Sequence, residues 1–104
     1  MRYRSLIISL ILLGFALPAV AACNDPAMIA SGKALAEKDR CALCHRSGGM
    51  AGDLVGMAEG KTDAFLQQAI TDPKAALGPA TRMPAYSYSD EEMQALLHYL
   101  RSLK

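Results

Sequence analysis

Cys41-Ala42-Leu43-Cys44-His45 constrains this chain more than any other five residues. In the pattern C-x-x-C-H the two thiols are spaced to add across the vinyl groups of a haem, giving thioethers. Two intervening residues make about one helical turn, which holds the sulfurs at a workable separation. The histidine that follows directly is then held beneath the iron, where its imidazole can act as proximal ligand. A chain built this way must enclose a large flat cofactor, so the weight of the pentapeptide depends on its surroundings.

The preceding residues have the character of an export leader. Arg2 and Arg4 form a short positive region, Leu6 to Leu17 is a nearly unbroken apolar run, and Pro18-Ala19-Val20-Ala21-Ala22 supplies small residues for cleavage. The run is shorter than the roughly 20 apolar residues a membrane span needs. Residues 1–22 are therefore expected to be a signal peptide, and residues 23–104 one small domain in the bacterial periplasm. Removing Arg2 and Arg4 would take the formal charge from +1 to −1. No strong field remains, and nothing points to nucleic acid as a partner.

Cys23 is the third cysteine, and the haem pattern leaves it unused. Val20-Ala21-Ala22-Cys23 resembles the lipobox of bacterial lipoproteins, in which the cysteine is acylated and begins the mature chain. That resemblance implies anchoring of the domain at a membrane surface, since two or more acyl chains hold stably. Ordinary cleavage nearby, with Cys23 left as a free or dimerising thiol, is the alternative.

Three helical segments are legible after the leader. Asp25-Pro26 reads as an N-cap followed by proline at the first helical position, with Met28, Gly32, Leu35 and Ala36 on one face. A glycine-rich loop, Ser47 to Gly52, follows the haem pattern. Thr62 caps a second helix in which Phe65, Leu66, Ala69 and Ile70 share a side. Asp72-Pro73 should end it, because proline disfavours helical backbone in the preceding residue. Ser89-Asp90-Glu91-Glu92 is a capping box, and Met93, Leu96, Leu97 and Leu100 follow the i, i+3, i+4, i+7 spacing of the third helix. No alternating strand pattern is present.

The stretch from Pro73 to Ser89 carries no helical period and reads as a long loop, which in a small domain usually serves a function. Within it, Met83-Pro84 makes Met83 the best candidate for a second iron ligand. A thioether is a neutral, soft ligand, and Pro84 restricts Met83 to extended conformations. Met57 is the main competitor, and an open sixth position is a further alternative. Met28 and Met93 fit helix faces, and Met50 lies too close to His45 to reach the opposite face.

Taken together, Gly32, the Cys41–His45 motif, Met83-Pro84 and the terminal Leu97-His98-Tyr99-Leu100 resemble a class I monohaem c-type cytochrome over essentially the whole mature chain. The resemblance implies an all-α globule of about three helices around one covalent haem c, with the first and last helices crossing at Gly32 against Tyr99 or Leu100. It implies His45 and Met83 as the axial pair, Cys41 and Cys44 as thioether carriers, and redox proteins as electron donor and acceptor. One departure is the segment Gly52-Asp53-Leu54-Val55-Gly56, which lacks the proline whose carbonyl, in the family, accepts a hydrogen bond from the proximal histidine. Leu43, Leu54, Phe65, Leu66, Ile70, Leu96 and Leu100 are the expected haem-lining residues, and Arg40, Arg46 and Arg82 are candidate partners for its propionates.

Filled axial positions imply an electron carrier, or an electron-transfer subunit of an oxidoreductase, rather than an enzyme in its own right. No triad-like or paired-carboxylate constellation suggests separate catalysis. An open or labile sixth site would instead suit a gas sensor or weak peroxidase. A redox dithiol at Cys41 and Cys44 would use the same cysteines without haem.

Overall fold

A computed structural model of the chain describes Gly14 and residues 25–104. Apart from Gly14, the expected leader lies outside the described residues, as does Cys23. The described residues form five helices and no strand: α1 (Pro26–Lys38), α2 (Cys41–Cys44), α3 (Asp63–Thr71), α4 (Pro73–Leu77) and α5 (Asp90–Ser102).

Each long helix begins where a side chain satisfies its first free amides. The Asp25 carboxylate accepts from the amides of Ala27 and Met28, and Thr62 Oγ1 accepts from Phe65 at 3.1 Å. Ser89 and Glu92 form a reciprocal box: Ser89 Oγ accepts from the Glu92 amide at 3.1 Å, and Glu92 Oε1 accepts from the Ser89 amide at 3.0 Å. Asp90, Glu91 and Glu92 then occupy the first turn of α5 and Arg101 its last, signs that complement the helix dipole.

Crossing of α1 and α5 is the most extensive helix contact in the fold. Gly32 is buried at the crossing, and a Cβ built there would lie 2.0 Å from the Ala95 carbonyl oxygen and 2.7 Å from Tyr99 Cβ. Glycine is required because backbone approaches backbone. The core beneath is aliphatic, with Leu66 and Ile70 from α3 meeting Met93, Leu96, Leu97 and Leu100 from α5. Arg101 ties the end of α5 to the start of α3 through an ion pair with Asp63 and a 3.1 Å bond to the Lys61 carbonyl.

The region after α3 corrects the expectation of an uninterrupted loop. Asp72-Pro73 does end α3, but the same two residues begin α4: Asp72 accepts from the Ala75 amide, and Pro73 takes the first helical position. Gly78, at φ +101°, closes that short helix. Extended chain resumes only afterwards and carries Met83 to Tyr88 towards the end of α1.

Candidate cofactor site

Two residues separate α1 from α2. Asp39 caps the end of α1, and Arg40 then adopts left-handed backbone with φ 56° and ψ 41°. Arg40 is the sole non-glycine at positive φ among the described residues, a conformation costing about 1–2 kcal/mol in an L-residue. The turn it makes sends the chain into the single helical turn of α2. Cys41 and Cys44 thereby sit three apart on one side, and the His45 amide donates to the Cys41 carbonyl at 3.0 Å. Leu43 turns the other way and is 65% exposed, so the expectation that it lines the cofactor is corrected.

The thiols border a cavity of ≈400 Å³, whose walls also include Arg40, His45, Leu77, Arg82, Met83 and Tyr86. A second cavity of ≈140 Å³ adjoins it and shares Cys41, His45, Leu77, Met83 and Tyr86. The inner walls are the expected aliphatic and aromatic side chains: Leu54, Phe65, Leu66, Ile70, Leu96 and Leu100. His45 and Met83, far apart in sequence, therefore face common space. Met57 borders the inner cavity alone, whereas Met83 borders both. Of the three candidate arginines, Arg40 and Arg82 border the outer cavity and Arg46 does not.

His45 Nδ1 is buried without a hydrogen-bond partner. The Leu54 amide donates to the His45 carbonyl at 3.2 Å, so the segment lacking the family's proline does lie against His45. No carbonyl of that segment reaches the ring. An enclosed, unbonded Nδ1 leaves Nε2 as the ring atom available to a ligand.

Burial, reinforced by the neighbouring Asp39 carboxylate and opposed by a backbone hydrogen bond, pushes the Cys41 thiol above its ordinary range. The Tyr86 and Tyr88 hydroxyls are likewise pushed up, in both cases chiefly by burial. Their rings stack at 6.1 Å with an interplanar angle of 14°. Tyr88 donates to the Asp39 carboxylate and Tyr86 to the Asp39 carbonyl at 3.5 Å. Both tyrosines border the inner cavity, and their bonds to Asp39 join the extended segment to the end of α1.

Two thiols, an imidazole and a thioether on one mostly apolar cavity form a donor set that fits a covalently attached haem, and the outer cavity is of the size that ligand sites take. Among the described residues no helix is long and apolar enough to cross a membrane. The family model described as Cytochrome c matches residues 29–104. No curated protein and no solved structure matches the chain.

Proposed function

Because the chain belongs to the cytochrome c family, binds covalent haem c and serves haem-based electron transfer, we propose that it is a one-electron carrier, or an electron-transfer subunit, whose iron would be held by His45 and Met83. The observation that carries this reading is that both cysteines, His45 and Met83 border one cavity. Bound haem supplies a one-electron iron couple whose potential follows its axial ligands. Cys41 and Cys44 would hold it through thioethers from the single turn of α2. His45 would supply its Nε2 and Met83 its thioether sulfur as iron ligands.

Met83 is favoured over Met57 by position. Met57 follows Leu54, whose amide is bonded to His45, and a Cβ at Gly52 would be 3.8 Å from Met57 Cε. Met57 thus belongs to the segment packed on the proximal side. Leu66, Ile70 and Leu96 give the inner cavity buried apolar walls, and low polarity around a bound haem is one of the levers that set its potential. With both axial positions filled, redox proteins rather than small substrates are the partners.

Export to the periplasm, and anchoring through acylated Cys23, belong to the same proposal and rest on residues 2–23 of the sequence. Mass spectrometry of the mature protein tests them: a start at an acyl-Cys23 supports the anchor, and an unmodified cysteine removes it. The ligand assignment is tested by ferric absorption spectra of wild type, Met83→Ala and Met57→Ala. Loss of the far-red band of methionine-ligated haem in Met83→Ala alone supports the proposal. A high-spin ferric spectrum in wild type would favour the open-site sensor or peroxidase instead.

A further inference from the structure

Asp39 stands at a junction the electron-carrier reading does not explain. It is the last residue before the strained Arg40 turn and lies two positions ahead of Cys41. Two hydroxyls from beyond Met83 converge on it. Tyr88 bonds its carboxylate and Tyr86 approaches its carbonyl, across separations of 49 and 47 residues. The two rings stack on each other. Between them and Met83 the chain is extended, and its nearest backbone anchor is the Tyr86 amide on the Ile70 carbonyl at 2.9 Å. Upstream, Met83 is held by a 3.3 Å bond from its own amide to Thr81 Oγ1, which lies within the same loop. Among these contacts, only the tyrosine pair fastens the Met83 segment to the junction of α1 and α2, two residues ahead of the first thiol.

We propose that the Tyr86–Tyr88 stack bonded to Asp39 is a latch that holds the Met83 segment closed over the cofactor cavity, making Tyr88 and Asp39 positioning residues for the Met83 ligand. The inference rests on the reading of Met83 as the sixth ligand. The segment has a closed state, with Met83 in the cavity, and an open state, with the cavity accessible from that side. The Tyr88–carboxylate bond exists in the closed state alone and biases the equilibrium towards it. Opening needs no unfolding of α5, because the capping box at Ser89 starts a separately stabilised helix just after Tyr88.

The measurement is imidazole binding to the ferric holoprotein, which competes with Met83 for the iron, alongside the far-red band and the melting temperature. Tyr88→Phe keeps the ring and its stacking and removes one hydroxyl. Asp39→Asn keeps the shape and removes the charge. Losing a hydrogen bond to a charged group changes such an equilibrium by about tenfold or more. Tyr88→Phe is therefore expected to bind imidazole about tenfold more tightly, and Asp39→Asn, whose amide oxygen still accepts from the hydroxyl but carries no charge, by a smaller factor of about three to five, with the far-red band still present before titration in both. Tyr86→Phe, which loses only the 3.5 Å contact, should change affinity by less than about threefold. Unchanged imidazole affinity in both Tyr88→Phe and Asp39→Asn, even with a lowered melting temperature, overturns the latch while leaving Met83 as ligand. Absence of the far-red band in wild type overturns the ligand reading itself. Should Tyr88→Phe fail to fold, Asp39→Asn decides alone.

Discussion

Gly32 and Ala95 meet so closely that a single methyl group on Gly32 would sit 2.0 Å from the Ala95 carbonyl oxygen. The obstruction is backbone of α5, which cannot swing aside as a side chain would. Gly32→Ala is therefore expected to cost about 3 kcal/mol and lower the melting temperature by more than about 10 °C. A thermal melt checks it, and a shift under a few degrees would mean the helices separate at little cost.

Strain at Arg40 predicts an unusual order of substitutions. Glycine relieves the left-handed conformation but adds unfolded-state entropy, so Arg40→Gly should stabilise the holoprotein by about 0.5–1 kcal/mol. Arg40→Val, which must hold a β-branched residue at positive φ, should destabilise by at least about 1 kcal/mol. Denaturant titration of the pair would reveal the order, and equal midpoints would contradict it.

The Glu92 carboxyl is held below its ordinary range, first by the Ser89 backbone amide and then by the Ser89 hydroxyl. Its contribution is thus complete above the unfolded value of 4.5 and is lost as pH falls through the lower folded value. Glu92→Gln retains an acceptor that does not titrate. The melting temperature of wild type should fall relative to that variant as acidity increases below about pH 4.5, and parallel curves would refute it.

Tyr88 titrates with the opposite sign. Burial and the bond to Asp39 raise its folded value above the ordinary 10.0, so the stabilisation is complete below pH 10.0 and is lost as pH rises beyond it. Between about pH 10 and 12, wild type should lose stability faster than Tyr88→Phe, as followed by far-ultraviolet circular dichroism. Equal slopes would show that the hydroxyl ionises as freely as in the unfolded chain.

Haem supplies much of the interior of so small a domain. The inner cavity is walled by Leu54, Phe65, Leu66 and Leu96, which without the cofactor enclose empty space. Purified apoprotein should be largely unfolded, with weak helical circular dichroism and no cooperative melt.

Which of these features the bare sequence disclosed depends on how local their signals are. Asp25, Thr62 and Ser89 act on amides two or three residues away, and each cap was legible. The haem pattern was legible because it spans one helical turn, and most of the aliphatic wall because it follows the periods of α3 and α5. Helix α4 was hidden because five residues are too few to display a period, and because Pro73 reads as a terminator before it reads as a first residue. Leu43 looked like lining until its placement in a single turn showed that the cysteines take the inner side. Nothing near Asp39 announces hydroxyls arriving from Tyr86 and Tyr88, and nothing in the residue type of Arg40 announces positive φ.

Those long separations also set an order of events. On a chain made from its N-terminus, Cys41 and Cys44 emerge well before Tyr86 and Tyr88, and contacts of 47 and 49 residues close late. The thiols are consequently presented on an uncovered segment during biogenesis, when haem must be delivered. The same bonds that later shut the cavity cannot obstruct its loading.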